Sequence, residues 1–193
     1  MQKKHQSKFS VVYADPAWKY RDKTKGMGGA EDHYPTMTID EISKMNVKEI
    51  TQKNAVLFMW VTWPILFEAS NVMKSWGFTY KTLGFIWVKT ALDASIIWLP
   101  DVIGTVVGIG HYTLSNSEPC LIGIKGKGLK RKDKTVRQLV MAPRGRHSEK
   151  PVEVRNRIER LYGRQVKKVE LFARKKTPGW KIYGNELDND IEL

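Results

Sequence analysis

Short apolar runs alternate along the chain with segments of helical periodicity, and this alternation constrains the fold more than any other feature. Six runs read as buried strands; they are 9–14, 55–60, 83–88, 120–124, 136–141 and 166–172, with a short last strand at 180–183. Helices are predicted from Thr38, over 63–76 and over 151–162, where Gly77 and Gly163 follow the last two. Strands that alternate with helices predict an α/β fold with a mostly parallel sheet and helices on both faces.

The 193 residues predict a single domain. We expect residues 1–8 to form a basic arm and the acidic tail 187–193 to be frayed. Residues 19–35 and 90–117 are polar or Gly-rich and lack clear periodicity. Long loops of this kind are typical of segments that lie over a functional site.

Composition excludes several classes of protein. The one cysteine, Cys120, rules out a disulfide framework and a Cys-rich zinc site, and it indicates a reducing compartment. The four histidines show no ligand spacing, so no metal site is predicted. No run approaches the ~20 apolar residues of a membrane-spanning helix, and residues 1–10 lack the apolar stretch of a secretory signal. The sequence contains neither a G-x-G-x-x-G nor a P-loop motif.

Basic residues are concentrated in one part of the chain. Lys and Arg number 33 against 20 Asp and Glu, a formal net charge of +13, and residues 125–181 hold 20 of those 33 basic residues. Such clustering is typical of proteins that bind nucleic acid, whereas charge that only maintains solubility is the alternative. We therefore predict phosphate contacts from the 125–134 loop and from the arginines of 144–164; the candidates are Lys130, Arg131, Lys132, Arg144 and Arg146.

The segment Asp15-Pro16-Ala17-Trp18 directly follows the first predicted strand, where ligands bind in open α/β sheets. The carboxylate of Asp15 and the carbonyl of Pro16 are two acceptors that can take both protons of one exocyclic amino group. Pro16 has a fixed φ and holds its carbonyl rigidly, and Trp18 is expected to offer a stacking face to an extruded base. The alternative is a simple turn after a strand.

Eight blocks of sequence carry a family resemblance. They are 12–18, 33–37, 57–62, 85–90, 116–121, 147–151, 170–174, and 179–180 together with 184–186. In this order they resemble the family of the catalytic subunit of the eukaryotic messenger-RNA adenosine methyltransferase, and more closely its short phage and bacterial DNA adenine methyltransferases. The likeness runs from Phe9 to Glu186. It implies a circularly permuted, Rossmann-like, S-adenosylmethionine-dependent methyltransferase fold in which the catalytic motif comes early and the cofactor strand late.

The resemblance also implies roles for individual residues. The catalytic residues would be Asp15, Pro16, Ala17 and Trp18. The S-adenosylmethionine site would be lined by Ala14, Asp15, Lys150, Glu170, Leu171, Phe172, Arg174, Asn185 and Glu186, with Lys150 paired to the methionine carboxylate. Tyr34 and His147 would join the basic residues on the substrate side. Ordinary roles compete with these, namely a surface pair for Glu170 and Arg174, a core position for Phe172 and a turn for Asn185.

The implied activity is methyl transfer to the exocyclic amine of adenine in DNA, in the cytoplasm of a bacterial or phage-infected cell. Two alternatives are an RNA adenosine methyltransferase and a catalytically weak, nucleic-acid-binding pseudoenzyme. The second is suggested by Ala17, since the family usually has proline there. The chain is short for a dedicated recognition domain, so we expect relaxed specificity or a partner chain, and a homodimer would extend a phosphate-binding groove.

Overall fold

The computed structural model describes residues 8–19, 35–90, 112–145 and 149–193, which form a seven-stranded sheet. The strands are β1 (Phe9–Ala14), β2 (Thr51–Trp60), β3 (Thr79–Thr90), β4 (Ser117–Lys125), β5 (Leu139–Pro143), β6 (Lys168–Leu171) and β7 (Lys181–Tyr183). Their spatial order is β5-β3-β4-β2-β1-β6-β7. Among these strands only β4 is antiparallel to its neighbours, β2 and β3, so the predicted mostly parallel sheet is confirmed.

Helices cover both faces of the sheet, as the sequence predicts. On one face lie α1 (Ile39–Lys44), α2 (Val47–Ile50) and α3 (Leu66–Ser75), which share a core with alternate residues of β1, including Val12 and Ala14. On the other face lies α4 (Val152–Tyr162), which packs on the intervening residues Val11 and Tyr13. The two cores follow from strand geometry, because successive side chains of a strand point to opposite faces.

The start of α1 shows how local sequence sets an element boundary. Thr38 is the N-cap, its hydroxyl accepts from the backbone N–H of Glu41, and the Glu41 carboxylate accepts from the backbone N–H of Thr38 at 2.7 Å. This reciprocal arrangement is a capping box, which satisfies two backbone donors at the helix start. The prediction of a helix that begins at Thr38 is therefore confirmed.

The C-terminal tail is packed rather than frayed, so that prediction is wrong. Ile191 is 9% exposed and joins the core on the α1–α3 face. Asp190 is paired with Ile182 of β7 in both directions, since its carboxylate accepts from the Ile182 N–H at 3.1 Å and its N–H donates to the Ile182 carbonyl at 3.0 Å. Burial of the Ile191 side chain and hydrogen bonds to the edge strand β7 hold the tail in place despite its acidic charge.

The parallel strands give the sheet two functionally different edges. The carboxyl edge holds the C-terminal ends of the parallel strands and the start of β4, and the amino edge holds the opposite ends. β1 lies between β2 and β6. The chain passes from β1 to β2 through helices on one face of the sheet, whereas it enters β6 from α4 on the other face. This is a topological switch point, and ligands of α/β sheets bind in the crevice outside the carboxyl ends of such strands.

Candidate active site

Four charged side chains of alternating sign lie along the carboxyl edge. Lys150 donates to Asp15, which follows β1, at 2.9 Å and to Glu118, at the start of β4, at 3.2 Å. Lys89, near the end of β3, forms a second ion pair with Glu118. Lys150 is buried, and the Asp15 side chain keeps 25% of its surface exposed. The arrangement holds one carboxylate at the surface of a largely buried ion-pair network.

The network gives the two carboxylates opposite shifts. Burial raises the pKa of Asp15, and the negative charge of Glu118 adds to the rise, while Lys150 opposes it. Burial also acts to raise the pKa of Glu118, but Lys150 and Lys89 outweigh it and lower that pKa. The surroundings thus favour the ionised form of Glu118, whereas burial acts against the ionised form of Asp15.

The backbone around Asp15 is tied down by short-range hydrogen bonds. The Pro16 carbonyl accepts from the Trp18 N–H at 2.9 Å, and the Ala17 carbonyl accepts from the Met37 N–H at 2.7 Å. The Lys19 N–H in turn donates to the Met37 carbonyl. A carbonyl oxygen has two lone pairs, so the Pro16 carbonyl retains one acceptor position.

Trp18 does not offer the stacking face that we expected from the sequence. Its ring is 5% exposed and belongs to the core on the α1–α3 face, and its indole N–H donates to the Trp60 carbonyl at 3.0 Å. The ring therefore holds the end of β2 against the Asp15 loop. An apolar environment with a satisfied N–H is the usual state of a buried tryptophan, and sequence alone does not separate it from a surface platform.

An aromatic layer on the α4 face supports the ion pairs. The Trp60 ring lies 5.6 Å from the Lys150 Nζ, and its indole N–H donates to the Tyr13 hydroxyl at 2.6 Å. The Arg155 guanidinium lies 5.3 Å from the Tyr13 ring centroid. Cation–π contacts of this kind stabilise a desolvated cation. Lys150 is therefore held both by the Trp60 ring and by the carboxylates of Asp15 and Glu118.

Glu170 has a partner that the sequence did not predict. Both of its carboxylate oxygens accept from Arg155 of α4, with the Arg155 Nε at 2.8 Å from Oε2, and both side chains are buried. The competing hypothesis of a surface pair with Arg174 is wrong, because Glu170 is buried and Arg174 is exposed. Arg155 Nη1 is buried and has no hydrogen-bond partner among the described residues.

Four of the residues expected around a cofactor lie in the segments that follow β6 and β7, namely Phe172, Arg174, Asn185 and Glu186. Phe172 follows β6 with φ of 62°, a left-handed conformation that is uncommon for a residue with a side chain and is frequent at ligand sites. The Ala173 N–H donates to the Tyr183 carbonyl at 3.0 Å, which places the Phe172 segment beside the segment that follows β7. Gly184 allows this approach, since a Cβ there would lie 2.1 Å from the Ala173 carbonyl oxygen.

The side chains of these two segments differ in exposure. Phe172 is partly buried, whereas Arg174, Asn185 and Glu186 are exposed. Ala14 and Leu171 are fully buried and pair across β1 and β6, so they offer backbone rather than side-chain atoms. The segments therefore carry an aromatic ring together with amide, carboxylate and guanidinium groups, which are groups that can contact a ligand with a flat ring and several hydroxyls.

The predicted substrate residues are divided between the two edges. Arg144 follows β5 at the carboxyl edge. Lys130, Arg131 and Lys132 lie at the amino edge, because β4 is antiparallel and its last residue, Lys125, pairs with Ala55 near the start of β2. The structure thus does not bring these three residues together with Asp15. Tyr34, Arg146 and His147 lie outside the described residues, as do the basic arm 1–7 and most of the two predicted loops.

Sequence reasoning missed Glu118, Lys89 and Arg155. The first two belong to blocks quoted for the resemblance, and each is a charged residue next to the end of its strand at the carboxyl edge, which is the signal that could have identified them. Arg155 is a charged residue of α4 that is buried together with the apolar residues of that helix. Its burial depends on Glu170 as a partner, and this partner is not visible in the local sequence. Within the described ranges no cluster of three or more His, Cys, Asp or Glu could hold a metal, and no helix there has the length and apolar character needed to cross a membrane.

Comparison with known proteins gives a consistent result. The model of the MT-A70 family matches residues 9–186. The chain is 35% identical to the Type II methyltransferase M.MunI of Mycoplasma sp, over 96% of this chain and 81% of that protein. It is 32% identical to the N(6)-adenosine-methyltransferase catalytic subunit METTL3 of Homo sapiens and 33% identical to the METTL3 subunit of Danio rerio, in each case over 94% of this chain but 28% of the longer protein.

Proposed function

The chain belongs to the MT-A70 family of S-adenosylmethionine-dependent methyltransferases, and from that premise we propose that it transfers a methyl group to the exocyclic amine of adenine in DNA. The observation that carries the proposal is the Asp15 carboxylate, held by Lys150 at the switch point of the sheet, in the residue that precedes Pro16. Two acceptors in adjacent residues can take the two protons of one amino group.

The residues that follow β6 and β7 at the carboxyl edge would hold the cofactor. When bound, S-adenosylmethionine supplies an electrophilic methyl group on a sulfonium sulfur. Phe172 would wall the adenine, Asn185 and Glu186 would accept from ribose hydroxyls, and Arg174 would pair with the carboxylate end. Two of the expected ligands already have protein partners, since Lys150 is paired with Asp15 and Glu118, and Glu170 is paired with Arg155. For these two we propose positioning roles in addition to any contact with the cofactor.

Asp15 and Pro16 hold the amino group of the target base. By accepting its two protons, the carboxylate and the carbonyl draw the nitrogen lone pair out of conjugation with the ring and orient it for in-line attack. Alignment and exclusion of water supply most of the rate increase in such a transfer. Asp15 then accepts the proton that the methylated amine releases and passes it to water, a step that its raised pKa favours. Alanine in place of the usual proline at position 17 removes no acceptor from this arrangement. The Ala17 backbone carbonyl accepts from the Met37 N–H and takes no part in holding the base.

DNA is the proposed substrate because the Type II methyltransferase resembles this chain over most of its own length. An adenine within a duplex must be extruded before Asp15 can reach it. The relatives with METTL3 in their names favour RNA as the second candidate, although the chain spans 28% of their length. We also propose that the protein acts in the cytoplasm of a bacterial or phage-infected cell, where such DNA lies. We propose a homodimer as well, which a measurement of the molecular mass in solution would test.

Transfer of a labelled methyl group separates the two substrates. Double-stranded DNA, single-stranded DNA and RNA oligonucleotides of matched sequence are incubated with the protein and labelled S-adenosylmethionine, and the nucleosides are identified by mass spectrometry. We expect N6-methyladenine in DNA. Modified RNA with unmodified DNA would favour the second candidate, and modification of a base other than adenine would contradict both.

A further inference from the structure

The amino edge carries a cluster of lysines that takes no part in the site described above. The cluster, here called the amino-edge basic surface, consists of Lys8, Lys48, Lys53, Lys125, Lys127 and Lys167. Lys8 precedes β1, Lys53 lies near the start of β2, and Lys167 precedes β6, so these three occupy adjacent strands at the same edge. With a strand spacing of about 4.8 Å, the row from β6 to β4 spans roughly 14 Å.

Contacts within the cluster fix its geometry. The Lys125 Nζ donates to the Lys48 carbonyl at 2.9 Å and to the Thr51 hydroxyl at 2.7 Å, which holds an ammonium group at the edge. The Lys127 N–H donates to the Asn54 side chain at 2.9 Å and thereby joins the end of β4 to β2. The Gln52 side chain donates to the Lys8 carbonyl. These contacts tie the cluster to β1, β2 and β4, and Lys167 extends it to β6.

Like charges predominate at this edge. Burial lowers the pKa of Lys125, and the positive charges of Lys8 and Lys48 lower it further, while Glu49 alone opposes them. Within the part of the chain that the structure describes, no ion pair joins Lys53, Lys127 or Lys167 to an acid. Clustered cations repel one another and cost free energy in the absence of an anion, and a polyanion would relieve that repulsion.

We infer that the amino-edge basic surface binds the phosphodiester backbone of a polynucleotide at a distance from the reacting adenine. Seven residues of extended chain separate Lys8 from Asp15, which corresponds to about 23 Å at 3.3 Å per residue. The phosphates that flank a base in the active site therefore cannot reach this surface. Its contacts are with a more distant segment of a long molecule, or with a second molecule.

The surface raises affinity without reading sequence, because backbone contacts position a polymer and carry no direct base information. Lys130, Arg131 and Lys132 continue from it toward the C-terminal end of α4, where the Lys132 N–H donates to the Leu161 carbonyl. The phosphate contacts predicted for these residues are thus reassigned from the catalytic groove to the opposite edge. The inference requires a polyanionic partner and does not depend on methyl transfer.

Binding of long and short DNA tests the surface. The variant K53Q/K127Q/K167Q removes three exposed charges, and K53R/K127R/K167R is the matched control that keeps them. Fluorescence anisotropy is measured over a series of salt concentrations, with a duplex of about 40 base pairs and with a hairpin of about 6 base pairs, whose helix of roughly 17 Å at 3.4 Å per step is too short to reach both edges. RNA of the same length as the duplex forms a further arm.

We expect the Gln variant to bind the long duplex roughly ten-fold more weakly, with a salt slope smaller by about 2 to 3, since each lost phosphate contact removes about 0.9 from the slope. The Arg variant should bind as the wild type does, and the Gln variant should lose less affinity for the short hairpin, because fewer phosphates reach the three lysines. A loss on long DNA or long RNA supports the inference and identifies the polymer. Unchanged binding of both overturns it, as does an equal loss in the Arg variant, because the effect would then not come from charge.

Discussion

At the carboxyl edge of the sheet Lys150 is flanked by Asp15 and Glu118, whereas at the amino edge the charges acting on Lys125 are mainly those of Lys8 and Lys48. In the first region opposite charges are buried, paired and supported by Trp60, so one carboxylate is held in place for chemistry. In the second, like charges are gathered at the surface. The difference indicates that positive charge serves two purposes here, namely the orientation of reacting groups and the attraction of a polymer.

The largest effect is expected from Asp15→Ala. Loss of the carboxylate removes one of the two acceptors that hold the amino group, and we expect methyl transfer to fall by about 10²- to 10³-fold, the size of effect seen when a preorganised electrostatic partner is removed. Cofactor binding, measured by calorimetry with S-adenosylmethionine, should be largely retained because the segments that follow β6 and β7 are unchanged. Turnover near the wild-type rate would remove Asp15 from the mechanism.

Arg155→Met should destabilise the fold by about 3–5 kcal/mol, because it leaves the Glu170 carboxylate buried and unpaired. Urea denaturation followed by tryptophan fluorescence gives the free energy of unfolding. The double variant R155M/E170Q is the control and should recover part of the loss, since it removes the orphaned charge. A single variant as stable as the wild type would show that Glu170 is protonated or hydrated without Arg155.

Glu118→Gln should change the pH dependence of kcat/KM for methyl transfer. Asp15 must be ionised to accept, so activity falls as the pH drops through its pKa, which burial and Glu118 raise. Removal of the Glu118 charge lowers that pKa, and the acid limb of the profile should move to lower pH. Lys150→Met should move it to higher pH, because Lys150 is the group that opposes the rise. If the acid limbs of the two variants moved in the same direction, the proposed network would be contradicted.

The smallest effect is expected from Arg160→Met, the amino-edge counterpart of Arg155→Met. Arg160 pairs with Asp133 at 2.8 Å, but the Arg160 side chain is 52% exposed. Hydrogen bonds from Thr135, and then from Arg160, hold the pKa of Asp133 at about 2, so Thr135 would stabilise the carboxylate even without the arginine. We expect no measurable shift of the denaturation midpoint. A loss as large as that of Arg155→Met would remove the distinction between the two edges.

The sequence by itself determined the elements of the fold, because they depend on local patterns. Apolar runs marked the positions of the strands, although β5 lies at Leu139–Pro143 rather than at the predicted 136–141. Thr38 and Gly163 marked helix ends. The Asp15-Pro16 pair was recognised at the end of a strand because two acceptors in adjacent residues need no knowledge of the rest of the chain.

Only the tertiary structure decided which charges meet. The partners Asp15 and Lys150, and Arg155 and Glu170, are joined by strand order and by the packing of α4, which are long-range contacts. The antiparallel direction of β4 carried the basic loop to the edge opposite Asp15, so a cluster in sequence became a separate surface. The burial of Trp18 and of Ile191 has the same cause, since an apolar side chain is buried where distant segments provide a surface for it.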